Sequence, residues 1–377
     1  MSFELRAKNG QWGDGVLGYW GFTPLLQHPN TPMPASPFWL TAHRSLLTAA
    51  FVRHSLTYNC HLMRWTMDVM CLGIFVVDVI GRPIDKLPQK GKLELFENLE
   101  IHTGGCANNT AIGLAKLGVS VGAMGKIGQD GFGDVVLKTL HDNRVDTSTL
   151  IRDPNAKTSF TFVMVSSDGE RTFLHYTGAN ATLSEADVDI QAIRRSKILH
   201  VAGSFVMPKF DGEPTARILR EAQAAGVMTS LDTVWDATGK WLKTLEPCLP
   251  YVDIFLPSIE EARQLTRLES PPDIAAFLMD YGIKTVALKM GERGSYVRSR
   301  DAELNVPAYK VERVVDATGA GDAYVAGFLA GTIMGWSLER TAQLASATGA
   351  ACVTAVGTTA GIRNLEQTLK FIGERQH

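Results

Sequence analysis

Two kinds of hydrophobic run follow Met67. In DVMCLGIFVVD (68–78), KILHVAGSF (197–205), VMTSLD (227–232), VDIFLP (252–257) and KTVALKMG (284–291) the run is short, largely continuous, and ends at polar residues or glycine. Such runs predict strands buried on both faces. Between them, NNTAIGLAKLG (108–118), FGDVVLKTLHDN (132–143), PTARILREAQAAG (214–226), IEEARQLTRL (259–268) and DIAAFLMDYG (273–282) space their apolar positions three or four apart, the period of a helix with one buried face. Pro214 near the start and Gly226 after the end are the expected punctuation of one of them. Strands alternating with helices predict an α/β fold, a parallel sheet flanked by helices on both faces. A different pattern, strict alternation, runs through KLELFENLEIHTGG (92–105) and SFTFVMVSSDGERTFLHYTG (159–178). Alternation leaves one face open, and the DG pair in the second segment marks a hairpin turn. These segments predict a small separate β-sheet, with strands near 92–103 and 158–178.

Residues 1–66 fit neither pattern. They hold four of the seven tryptophans (Trp12, Trp20, Trp39, Trp65) and seven charged residues, with prolines crowded into TPLLQHPNTPMPASP. No period of 2 or 3.6 is sustained there. SLLTAAFV is too short, and too far from the start, for a secretory signal. The expectation is that folding begins at Met67, the upstream stretch being an over-extended reading frame or a loosely ordered tail, and that 67–377 form the folded domain.

Composition narrows the function. The chain has 377 residues, 45% of them hydrophobic and 20% charged, with a net charge of −2 and scattered lysines and arginines, so nothing points to a nucleic acid partner. Five cysteines (Cys60, Cys71, Cys106, Cys248, Cys352) stand far apart without a CxxC pair, which fits a reducing, cytoplasmic setting. No apolar run reaches the roughly 18 to 20 residues that span a bilayer, so no membrane partner is expected.

The densest chemistry is DATGAGD (316–322), which follows strand-like LNVPAYKVERVV and leads into the apolar helix pattern DAYVAGFLAGTIM. In open parallel sheets, ligands bind where loops enter helices beyond the carboxyl ends of the strands. At a helix start the amides of Gly319, Ala320 and Gly321 lack intrahelical partners and favour negative charge. A tight turn with Asp322 as an N-terminal helix charge would leave the same trace. Neither GxGxxG nor GxxxxGK[ST] is present to decide the matter. A second stretch, GGCANNTAIGLAKLG (104–118), joins paired glycines to asparagines that open a helix, an arrangement suited to a polar ligand.

Taken together, the two stretches resemble the signatures of the ribokinase-like sugar kinases, also called the PfkB carbohydrate kinases, in the right order and separation, over residues 68–373. The resemblance implies an ATP-dependent transfer of the γ-phosphoryl group to a sugar hydroxyl. Asp322 would be the general base, and Gly319, Ala320 and Gly321 the anion hole. It further implies sugar contacts from Asp78, at the end of the first strand, and from Gly104, Gly105 and Asn109. Lys289 and Gly291 in VALKMGERG would lie near the nucleotide phosphates, magnesium would accompany ATP, and the alternating strands would form a lid over the sugar and the interface of a homodimer. Glu261 in PSIEEA would reach magnesium through water, although Ser258 stands where the family usually has asparagine, and Ala317 replaces a common threonine. Potassium held by carbonyls near Asp316, Thr318 and Gly357 of the TAVG loop is a further implication.

Other residues invite plainer readings. His200 and His175 are single histidines without metal spacing, expected in the core and the lid, and Cys106 is expected as a buried thiol. Asp232, Trp235 and Asp236 follow a strand end and could line the cleft, the plain loop reading being preferred. Which sugar is taken is not legible, and a nucleoside kinase or a silent sugar-binding regulator of the same fold stays open.

Overall fold

The computed structural model describes residues 65–374, so the expected N-terminal tail lies outside the described residues except for Trp65 and Thr66. Thirteen strands form two sheets among the described residues. In chain order, β1 (Met67–Gly73), β4 (Val121–Gly128), β5 (Asp146–Asp153), β8 (Ser196–Ser204), β9 (Met228–Thr233), β10 (Ile254–Phe255), β11 (Thr285–Lys289), β12 (Ser295–Ser299) and β13 (Glu303–Val306) belong to the large sheet. Its order is β13-β12-β11-β10-β9-β8-β1-β4-β5, parallel from β11 to β5 and antiparallel only at the β11-β12-β13 edge. The remaining strands, β2 (Val76–Arg82), β3 (Asn98–Gly104), β6 (Ser159–Val165) and β7 (Arg171–Tyr176), form the small sheet in the order β3-β2-β6-β7.

The large sheet has the two covered faces that its continuous apolar runs predict. Met70 and Leu72 of β1 enter one apolar cluster while Val69 and Cys71 enter another. The first cluster takes Ile218, Leu219, Ile259 and Ile274 from helices on one side. These helices are α4 (Glu213–Ala224), α6 (Ile259–Thr266) and α7 (Pro271–Met279), which follow the short α3 (Ile190–Arg194) and α5 (Leu242–Leu245). The second cluster takes its helices from the other side: α1 (Cys106–Lys116), α2 (Gly131–Asp142), α8 (Ala320–Ile333) and α9 (Leu338–Cys352); α10 (Leu365–Gly373) closes the described chain. Helix α8 is apolar all round, and its residues 323–331 are all buried, as an interior helix must be. It packs closely on α1: a Cβ on Gly113 would stand 2.7 Å from the Ala326 methyl, so only glycine permits this approach.

Several expectations need correction. DVMCLGIFVVD is two strands, β1 in the large sheet and β2 in the small one, so Asp78 does not end the first strand but sits within a lid strand. Of 92–103, only Asn98 onward is paired, because β2 ends at Arg82 and offers Lys92–Glu97 no partner strand. LNVPAYKVERVV is a strand only to Val306. Strands β4 and β5 escaped notice for composition: β4 carries Gly122, Gly125 and Gly128, and β5 reads as the polar edge strand it is. The hairpin of β6 and β7 turns at Asp168 and Gly169 as expected. Among the described residues, no helix is long and apolar enough to cross a membrane.

Candidate active site

DATGAGD folds as its residue types require. Gly319 caps α8 in the left-handed region (φ 80°), and a Cβ there would lie 2.2 Å from the Thr358 carbonyl oxygen, so both conformation and space exclude a side chain. The Ala320 amide turns inward to Ala317 O at 3.3 Å. The Gly319, Gly321 and Asp322 amides donate no hydrogen bond among the described residues, leaving unengaged donors at the positive end of the helix dipole. Asp316 anchors the turn. Its carboxylate accepts from Thr318 N (2.9 Å), Thr318 Oγ1 (2.7 Å), Gly357 N (3.1 Å) and Arg171 Nη1 (3.0 Å). Burial would raise its carboxyl, yet these donors hold it down at about 2.

Asp322, in the first turn of α8, is met by the first signature. Asn109 Nδ2 donates to Asp322 Oδ2 at 2.8 Å across 213 residues of sequence, and the Cys106 thiol lies near the same carboxylate. Burial raises the Asp322 carboxyl above the ordinary range, while Asn109, the Lys289 ammonium and Cys106 pull the other way. An elevated but paired carboxyl at a donor-rich helix mouth is suited to taking a proton.

Lys289, at the end of β11, closes the other side. Its ammonium pairs with Asp232 Oδ2 at 2.7 Å, and the place where a Gly321 Cβ would sit is 3.5 Å from Lys289 Nζ. Burial pushes the Asp232 carboxyl up to about 7 in spite of the lysine beside it. Ser258 and Glu261 form a capping box on α6, and Glu261 Oε2 also accepts from Thr233 Oγ1 at 3.0 Å. Serine thus performs a helix-capping task at the position where the family usually carries asparagine. Gly291 lies in the open turn after β11, with nothing within 4 Å of a Cβ placed there. Asp232 therefore lines the charged cleft. Asp236 instead ties its own loop, accepting from Trp241 N at 2.6 Å, and Trp235 is exposed.

The lid supplies the fourth wall. Asp78 of β2 stands opposite His102 of β3 and Thr161 of β6, with its carboxyl raised by burial. It packs on the first signature: a Cβ on Gly104 would fall 2.2 Å from Asp78 Oδ2. Gly105 opens α1 as its N-cap, and His102 leans on Gly357. Between the lid's inner face and the Asp316 turn is a pocket of about 140 Å³, lined by Asp78, His102, Thr161, Arg171, Asp316 and Thr318 among others. Sequence reasoning missed Arg171, His102 and Thr161. Arg171 reaches from the lid to both Asp316 and Thr318 Oγ1 (2.7 Å). Its signal was the alternation itself, which places Arg171, Phe173 and His175 on one face of β7. His175 is a lid residue bonded to Thr161 at 3.1 Å, and His200 is fully buried in β8, both as expected.

Known proteins resemble this chain in sequence and fold. The profile described as pfkB family carbohydrate kinase matches residues 66–365. A 2-dehydro-3-deoxygluconokinase from Bacillus subtilis (strain 168) is 29% identical over 283 residues, covering 72% of this chain and 87% of its own. Fructokinase-2 from Zea mays is 30% identical over 292 residues, covering 73% and 87% respectively. Among solved structures, a fructokinase with bound ATP from Xylella fastidiosa superposes with a TM-score of 0.72 at 25% identity, over 82% of this chain and 99% of that one.

Proposed function

This chain belongs to the PfkB family of carbohydrate kinases, a phosphotransferase with the ribokinase-like fold, and from that premise we propose a specific division of labour in its site. ATP is the donor and a sugar hydroxyl the acceptor. Phosphoryl transfer asks a protein chiefly for positioning and for stabilisation of charge on the transferring group. The unengaged amides of Gly319, Gly321 and Asp322, with Lys289, supply the charge stabilisation, and Gly321 leaves room for phosphate beside the lysine. Thr318, Gly357 and Gly291 shape the surrounding loops. Asp322 removes the proton from the attacking hydroxyl, while Asp78, Gly104, Gly105 and Asn109 form the sugar end. The observation that carries this reading is the Asn109–Asp322 bond, which brings the two signatures together at the mouth of α8.

Among the described residues no cluster of three or more His, Cys, Asp or Glu side chains could enclose a metal. Glu261, fixed by Ser258 and Thr233, would be the side chain that holds, through water, a magnesium ion brought by the nucleotide. Bound there, it would neutralise phosphate charge. At the Asp316 turn, the guanidinium of Arg171 already provides a positive charge to the carboxylate, so we assign that charge to the lid rather than to potassium.

The outer lid face supports a homodimer. Leu99 and Ile101 of β3 and Leu174 and Tyr176 of β7 are exposed on the face opposite Asp78, His102 and Arg171. A second copy of the same sheet would cover this apolar surface.

A screen of ATP against free sugars, sugar acids and nucleosides tests the activity. Phosphorylation of one sugar class, abolished in Asp322→Asn, is the expected result. Transfer confined to nucleosides would replace the acceptor, and no transfer to any member would end the reading.

A further inference from the structure

Asn109 is implied above as a sugar contact, yet its amide is already committed at both ends. Its carbonyl, Oδ1, accepts from Asn108 Nδ2 at 3.2 Å, and its Nδ2 donates to Asp322 Oδ2 at 2.8 Å. Asn108 is fully buried and Asn109 nearly so, and Asn108 Oδ1 has no partner among the described residues. An amide can present either its NH2 or its carbonyl to a neighbour. A carbonyl facing a carboxylate oxygen repels the ionised form, whereas an NH2 group stabilises it. The Asn108 donor is what makes the second choice. We propose that Asn108 and Asn109 are positioning residues for the general base: Asn108 fixes the orientation of the Asn109 amide, and Asn109 holds Asp322 ionised and aimed at the acceptor hydroxyl.

This rests on Asp322 acting as base. The charged and titratable groups around Asp322 are Cys106 on α1, Lys289 on β11, Asp232 on β9, Asp78 on β2 and Cys352 on α9. Any change in its titration must therefore be read with those groups intact.

The test uses the full chain with ¹⁵N-labelled asparagine. Without ligands, the Asn109 side-chain NH2 resonances should shift with a single ionisation that disappears in Asp322→Asn. Asn108→Leu, close to isosteric, should move that midpoint to higher pH and lower kcat with ATP and D-fructose at least about tenfold, leaving the KM for ATP within about twofold. Asn108→Asp, which presents an acceptor and turns the Asn109 carbonyl towards the base, should do more. An unchanged midpoint in folded Asn108 variants, or a loss confined to the KM for fructose, would overturn the proposal. Should both variants fail to fold, Asn109 resonances in the parent that ignore Asp322 would overturn it equally. Near-normal turnover in Asp322→Asn would instead remove the general base while leaving the hydrogen-bond relay to the NMR titration.

Discussion

The two sheets of this protein obey opposite rules. In the large sheet, β1 and β8 are buried on both faces, and their side chains are divided between two apolar clusters. In the small sheet, β7 is exposed along its whole length, and the inner face carries Asp78, His102, Thr161 and Arg171, groups that want water or a ligand. The outer face shows Leu99 and Leu174, each more than half exposed. The body therefore holds its chemistry rigidly at strand ends and a helix mouth, whereas the lid holds its chemistry on a surface with little core behind it. Sheets of the second kind owe their stability to what covers them. The two are joined by polar contacts, Arg171 to Asp316 and Thr318 and the Thr358 hydroxyl to Thr103 O, and by an apolar seam in which Val76, Val77 and Phe160 of the lid meet the clusters of the body.

Substitutions should separate body from lid. The largest effect is expected in the body. Asp322→Asn keeps shape and hydrogen bonding but not basicity, so kcat should fall by a factor of about 10² to 10⁴ with the melting temperature and both ligand affinities retained. A steady-state assay beside a thermal melt checks this; a plain helix cap would leave turnover within about threefold. Next comes the sugar end in the lid. Asp78→Ala should weaken sugar capture by about 2 to 4 kcal/mol and barely alter ATP affinity, as calorimetry with each ligand would show. The reverse pattern would exchange the assigned ends of the site.

A pH profile sharpens the contrast. A base must be ionised to act, and burial raises the Asp322 carboxyl. On lowering the pH, kcat should therefore begin to fall above the usual carboxylate range near pH 4, whereas Asp316, held at about 2, should stay charged throughout. An acid limb at an ordinary carboxylate value would argue against a buried base. Arg171→Ala should have a smaller consequence. It removes a part-exposed pair from lid to turn, worth at most about 1 kcal/mol, so the sugar KM should rise a few-fold with little loss of melting temperature. A collapse of stability would mean that the lid is part of the body after all. The smallest effect belongs to the N-terminal stretch. A chain beginning at Trp65 should melt and turn over like the parent, and removal of Trp65, which packs on the first apolar cluster, should cost a measurable decrement.

How much of this was legible follows from which forces act locally. The parallel sheet was readable because strands buried on both faces must be continuously apolar, and the helices because a buried stripe must recur every three or four residues. Gly319, Gly321 and Asp322 were readable because their task restricts residue type at adjacent positions. The break between β1 and β2 was not: LGIFVV is apolar throughout, and apolar residues suit the core and the lid alike. Arg171 could be placed on a face of its strand but not against Asp316, since its partner lies 145 residues away.

By itself, then, the sequence determined the class of fold, the position of the glycine turn that opens α8 and the family, all set by periodicity and by residue types that tolerate few alternatives. Tertiary structure alone decided that Asp78 belongs to the lid, that Lys289 pairs with Asp232, and that Asn109 turns its amide to Asp322. Those outcomes depend on distances between segments far apart in the chain. A hydrogen bond or ion pair is fixed to within a few tenths of an ångström by the packing of whole elements, here the close approach of α1 to α8 at Gly113, and no local pattern encodes it.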